Sequence, residues 1–451
     1  MQLAVIVEDD LPLSKPVARV ALALAAILCI AASYWQMGAP FEFHLPQADF
    51  EVYYTAASLI QDHQREAIYD GADTGIDPQL RNPAENSTFA REALCRGLLV
   101  TGLFVYPPTL AYLTAPLGSL PVAKAEALWK MLNWAATLTM AALLSRLLGI
   151  RLWSLSGLSI ALFLFAFRPS LECFFWGQVT LLLTLLEVAG MFLYVRGCKG
   201  AAAFFFALAA AIKLTPAIVL VPLIAWRDWK TLRAFLAWSG AILAALCLPD
   251  KGRLVFDFFA RVLPPMAPGI VRINNKGLSA SLQVFWHALR PGASTEWLAI
   301  FAKLVSVCLV LYAGWLCRSK SGVEKGSDRF EALSLLWLLS CCLAPVSWRH
   351  AYVPCAPALL ILSKRLLEGR ARVTEAILLL SFLLSISSFG FAVLAQSTGN
   401  PLITAWAISA PVLGIALVIV ELRRMRSENR ATRLPAESNG ASESTVPCFT
   451  P

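Results

Sequence analysis

Charge is scarce in this sequence. Only 15% of its 451 residues are Asp, Glu, Lys or Arg, and only 4 are His. A soluble globular domain carries about a quarter charged residues, so a chain built mainly of such domains is excluded. No Cys or His cluster has the spacing of metal ligands, so neither a metal nor a cofactor is expected. The cysteines do not form a disulfide framework. Most lie inside apolar runs (Cys29, Cys173, Cys247, Cys308, Cys341, Cys342, Cys355), and the first long hydrophilic loop holds only Cys95. No Gly-rich phosphate loop, internal repeat or barrel-like alternation is present. The start lacks the basic residues of a cleavable signal and has Glu8, Asp9 and Asp10 instead, so Val17–Gln36 reads as a permanent anchor.

What the chain does have is apolar length. Hydrophobic residues make up 58%, mean hydropathy is +0.65, and runs near the ~20 residues of a helical crossing recur from end to end. With no water to satisfy the backbone, helices are the spanning form. The fold class is all-α polytopic membrane protein. Hydrophobic segments lie near 17–36, 98–117, 125–148, 152–167, 171–195, 201–226, 232–249, 298–317, 330–347, 350–364, 373–395 and 402–421, which predicts about 12 transmembrane helices in one domain, 1–422. Residues 423–451 are expected to form a disordered cytoplasmic tail.

The net charge of +9 is mostly an orientation signal, not a nucleic-acid footprint. Basic connections carry Arg227, Lys230 and Arg233; Arg318, Lys320, Lys325 and Arg329; Lys364, Arg365, Arg370 and Arg372; and Arg423, Arg424 and Arg426. These predict a cytoplasmic side, with both termini on it in the cell membrane. The loop 37–97 then lies outside with a net charge of −6, and the outer loop 250–297 carries +3. Strict alternation conflicts with this rule at Arg196 and Lys199, which it places outside. The segments 98–117 and 152–167 are short or proline-bounded, so one of them is a candidate for re-entry rather than crossing.

Polar residues in apolar surroundings carry the functional signal. Phe50, Tyr53, Tyr54, Ala57 and Ile60 follow helical spacing and predict an amphipathic helix on the outer surface. Asp49 at its start has two readings, an N-cap or an outward-facing general base. Glu51 would point away from Asp49 on a helix and join it as a metal pair only in an extended strand. Pro107-Pro108 forces an irregular helix start, and Trp129 and Trp134 read as interfacial anchors. Arg168, Glu172 and Gly177-Gln178 interrupt two apolar runs. Lys213, followed by Pro216, sits in the middle of another, where it either snorkels or faces a wet cavity. Arg349 and His350 end a helix on the outer side, as surface residues or as an anion site. Leu278, Leu282, Phe285 and Leu289 make a second amphipathic stripe in the basic outer loop, which suits a phosphate-bearing lipid.

Several of these stretches, in order, resemble glycosyltransferase family 87 of the GT-C superfamily. They are Asp49-Phe50-x-Val52-Tyr53-Tyr54 with Ile68-Tyr69-Asp70; Tyr106-Pro107-Pro108 with Ala115-Pro116-Leu117; Gly177-Gln178; Ala211-Ile212-Lys213-Leu214-Thr215-Pro216; and Ser347-Trp348-x-His350. Two departures stand out. Ala351 occupies the place of a second histidine common in the family, and Asn274-Asn275-Lys276-Gly277-Leu278-Ser279 matches the family's outer-loop element only loosely.

The resemblance implies an inverting, GT-C-like hexosyltransferase that takes a hexose or pentose, mannose first, from a polyprenyl-phosphate donor. The acceptor would be a lipid or glycan at the outer face. Asp49 is the implied catalytic base. Tyr53, Tyr106, Gln178, Lys213, Arg272, Asn275, Trp348, Arg349 and His350 are the implied substrate-binding residues, with no metal. The alternatives are a multi-pass transporter or lipid flippase, which the missing inverted repeat and the acidic loop argue against, and a scaffold, which leaves Lys213 unexplained.

Overall fold

The computed structural model describes residues 47–72, 87–98, 102–267, 270–271, 275–290, 292–318, 326–387, 398 and 400–431. The anchor at 17–36 and Arg272 lie outside these residues. Among the described residues every regular element is a helix. Two of them, Trp229–Cys247 and Glu296–Cys317, are by length and apolarity alone able to cross a membrane, and up to four spans qualify if each of two bent pairs counts as one. Shorter apolar helices, such as Thr180–Val195 and Val373–Ser387, supplement them.

Side-chain contacts divide the bundle into two ends. At one end the basic connections gather. Lys364 donates to the Leu148 carbonyl (2.8 Å), Arg424 pairs with Glu331 (2.5 Å), and Arg426 donates to the Trp315 carbonyl (3.0 Å). A largely buried network of Arg365, Arg424, Glu331, Glu375 and Glu421 ties four helices together there. The last helix continues to Ala431, so residues 423–431 belong to the fold and the predicted tail is shortened by that much. Its Arg424 is buried, which makes the extension a packed element rather than a loose end. At the other end lies the Asp49 helix, Ala48–Gln61.

Strict alternation fails at two places, and each failure has a physical cause. The run 98–117 does not pass between the ends. Pro107 is extended and Pro108 opens the helix Pro108–Gly118, where a missing N–H costs nothing. That helix lies along Ala48–Gln61: Tyr54 donates to the Leu120 carbonyl (2.6 Å) and Gln61 to the Ala115 carbonyl (2.8 Å). A Cβ at Gly118 would stand 2.6 Å from the Ala57 backbone, so the contact requires glycine. The Asp49 helix is consequently enclosed by protein, with Phe50 through Ile60 buried, and is not the surface-lying helix its periodicity suggests.

The run 201–226 is the second failure. The helix Lys199–Ile212 stops at Lys213, which is extended, and the chain turns back through Thr215–Val219 and Leu220–Ala225. Lys199 pairs with Asp228 (2.8 Å), Tyr194 donates to Asp228 (2.9 Å), and Arg329 donates to Tyr194 (3.1 Å). Both feet of this hairpin therefore stand at the basic end. Its first arm is 14 residues, about 21 Å, short of the ~30 Å hydrocarbon core. Arg196 and Lys199 thus join the other basic connections, and the conflict with the charge rule disappears.

Between these two places the chain runs from the Asp49 end along Val122–Leu147. It returns through Leu155–Ala166 and Arg168–Trp176, which bend by 53° at Phe167. This return brings Gln178 to the Asp49 end, where alternation had not placed it.

Candidate active site

Asp49 stands in the first turn of its helix, whose N-cap is Gln47 without a side-chain capping bond. The N-cap reading of Asp49 therefore fails. Glu51 is two residues on in the same helix and turned to another side. The half-buried Asp49 carboxylate instead accepts a hydrogen bond from Gln178 Nε2 at 2.5 Å. Burial lifts its pKa to about 6, opposed by the Gln178 bond and by the positive charge of Lys213.

The Gln178 turn is built to meet it. Gly177 adopts φ 69°, and a Cβ there would lie 2.6 Å from the Phe50 Cβ and 2.9 Å from the Gln47 Cβ. Gln47 Nε2 donates to the Phe174 carbonyl (2.7 Å), and Trp129 Nε1 donates to the Gly177 carbonyl (2.7 Å). Trp129 is thus a buried residue packed on Phe50 and Tyr53, not an interfacial anchor. Trp134 remains largely exposed. Gln178 Oε1 accepts from Tyr53 (3.0 Å) and Tyr106 (3.1 Å), whose hydroxyls are 3.1 Å apart. Asp49, Tyr53, Tyr106 and Gln178 are therefore one connected group drawn from three separate stretches of chain.

Lys213 adds the cation. The break after Ile212 leaves it half-buried, and its charge reaches both Asp49 and His350. Among the described residues its ammonium makes no hydrogen bond or ion pair, which leaves it available to a ligand. His350 is buried in the turn Arg349–Cys355, and Cys173 donates to its carbonyl (3.7 Å). Trp348, half-buried, precedes that turn.

Two expected binding residues are put to other uses. Arg349 is buried and pairs with Glu172 (2.9 Å), whose same oxygen takes Arg168 (3.1 Å). This triad fastens the Ser347–His350 segment to the helix Arg168–Trp176. Arg349 is therefore a fixing point rather than an open cation. Asn275 is fully buried, and both ends of its amide are spent on backbone. Nδ2 donates to Ile270 and Pro345 (2.9 Å each), while Oδ1 accepts from Ser347 (2.8 Å) and Gly277 (3.1 Å). Such an amide has no remaining capacity for a substrate.

Lys276, counted in the net charge of the outer loop 250–297, is fully buried and donates to the Ala407 carbonyl (2.5 Å). Burial, with Arg349 nearby, pushes its pKa down to about 7. Glu187 is also buried and within the electrostatic reach of Lys213, and the signal that could have found it is a carboxylate inside the apolar run 171–195.

Residues 104–345 match glycosyltransferase family 87. A relative from Mycobacterium tuberculosis (strain CDC 1551 / Oshkosh), a polyprenol-phosphate-mannose-dependent alpha-(1-2)-phosphatidylinositol pentamannoside mannosyltransferase, is 25% identical over 282 residues. That match covers 60% of this chain and 59% of the relative, less than two thirds of the relative's length.

Proposed function

Because the chain belongs to glycosyltransferase family 87, we propose that it transfers a sugar, mannose first, from a polyprenyl-phosphate donor to a lipid or glycan acceptor. The reaction takes place at the outer face of the cell membrane, with the basic end of the bundle and both termini in the cytoplasm. The observation that carries this reading is a raised-pKa carboxylate, Asp49, within the electrostatic reach of an uncommitted cation, Lys213, at the end of the bundle opposite the basic connections. The donor's prenyl chain lies among the helices and its phosphate meets Lys213, with His350 beside it.

In the reaction Asp49 removes the acceptor hydroxyl's proton as that oxygen attacks the anomeric carbon. The bond from that carbon to the phosphate oxygen breaks on the opposite side, so the configuration inverts. The leaving polyprenyl phosphate takes the electron pair, and Lys213 stands where that charge develops. A base with a pKa near the working pH is ionised enough to accept the proton and basic enough to hold it.

The test is direct. Purified protein is incubated with a panel of polyprenyl-phospho-sugars and a mannosylated phosphatidylinositol acceptor, and released polyprenyl phosphate is measured. Release with polyprenyl-phosphate-mannose is expected. Sugar transfer from a nucleotide sugar with no polyprenyl phosphate present would overturn the assignment.

A further inference from the structure

Tyr53, Tyr106 and Gln178 form a closed set whose geometry exceeds what substrate contact requires. A primary amide has two unlike ends, and turning it over exchanges a donor for an acceptor at almost no steric cost. Beside Asp49 the two orientations are far from equivalent. One presents N–H to the carboxylate, and the other presents a carbonyl oxygen that repels it. The second end of the amide receives both tyrosine hydroxyls, at 3.0 Å and 3.1 Å. Tyr53 comes from the Asp49 helix itself and Tyr106 from the stretch before Pro107-Pro108. A site that needed only to hold Gln178 would do so with one of them.

We propose that Tyr53 and Tyr106 act as a redundant lock that fixes which end of the Gln178 amide faces Asp49, making Gln178 a positioning residue for the base. The lock rests on the reading of Asp49 as general base and deepens it. With Nε2 donating to one carboxylate oxygen, the carboxylate is held in one rotation and its other oxygen is left for the acceptor hydroxyl. Among the described residues, the remaining groups that act on Asp49 are Lys213 at the hairpin tip and Cys173 on the helix Arg168–Trp176, together with the two tyrosines. Of these only Lys213 is cationic, and it is not part of the lock.

Redundancy makes the proposal testable. Either hydroxyl alone keeps the amide oriented, so Tyr53→Phe and Tyr106→Phe should each lower turnover by less than about 3-fold. The double variant should lose at least about 10-fold, well beyond the product of the singles, as expected of neighbours acting as one unit. Its acid limb in kcat/KM should also move up by about one pH unit, because the carboxylate loses a fixed N–H donor. A simple packing defect would lower activity without moving that limb.

Gln178→Glu probes the same idea without touching the tyrosines. The new carboxylate can take both hydroxyl protons but offers Asp49 no N–H, so the acid limb should again rise. Assays use the full chain in detergent, with polyprenyl-phosphate-mannose and a mannosylated phosphatidylinositol, and Asp49→Asn runs in parallel. Near-normal turnover in Asp49→Asn would remove the general base itself. An inactive Asp49→Asn, with multiplicative tyrosine effects or an unmoved acid limb in Gln178→Glu, would remove the lock alone.

Discussion

In the proposed reaction Asp49 is the base, and its environment sets a pH window. Burial raises its pKa to about 6, so above that value the carboxylate is ionised and competent, and below it the base is protonated and idle. The acid limb of kcat/KM is therefore expected near pH 6, with activity falling as pH drops through it. A limb near pH 4 would mean that Asp49 is solvated or is not the base. Asp49→Asn keeps the shape but not the basicity, and turnover should fall at least ~100-fold while expression holds. At this scale the sequence was informative where a residue was out of place. Gln178 and Lys213 are polar groups beside or within apolar runs, Asp49 stands at the start of an amphipathic stripe, and the three come together in the fold. The uses of Arg349, Asn275 and Lys276 were not legible, because their partners are backbone carbonyls and a carboxylate far along the chain. No local pattern encodes such contacts.

At the scale of elements, the Gly177 turn and the Lys213 hairpin decide the geometry. Gly177→Ala forces a side chain into a left-handed conformation, at roughly 1–2 kcal/mol, and against the Phe50 Cβ. A displaced Gln178 no longer meets Asp49, so turnover should fall on the order of 100-fold and the melting temperature in detergent should drop. Unchanged activity would mean that the turn does not set the site. The hairpin predicts a labelling pattern from two native, exposed cysteines, Cys95 and Cys198. In single-cysteine versions, a membrane-impermeant thiol reagent added outside intact cells should label Cys95 and leave Cys198 untouched. Labelling of Cys198 from outside would restore simple alternation. Helix existence was well signalled by apolar runs and prolines. What those runs could not convey was whether a given one crosses, because Pro108–Gly118 and Lys199–Ile212 are as apolar as their crossing neighbours. Tertiary contacts such as the Lys199–Asp228 pair and the Tyr54–Leu120 bond distinguish them.

For the whole molecule, the buried ionic network at the basic end makes the last helix part of the fold. A chain ending at Ala431 should retain wild-type stability and activity. One ending at Leu422 loses Arg424, leaves Glu331 and Glu421 with fewer counter-charges, and should be destabilised by several kcal/mol. Equal melting temperatures for the two truncations would show the network to be dispensable. The Lys213 hairpin also bears on how the chain is made. A segment that enters and leaves the bilayer on one side needs neither flank carried across during synthesis. Its lysine is never presented alone to the lipid as part of a through-going helix, so the translocation machinery is spared that charge. In the proposed reaction, the turn that ends the Lys213 helix short of a full crossing is also the turn that brings its charge near Asp49.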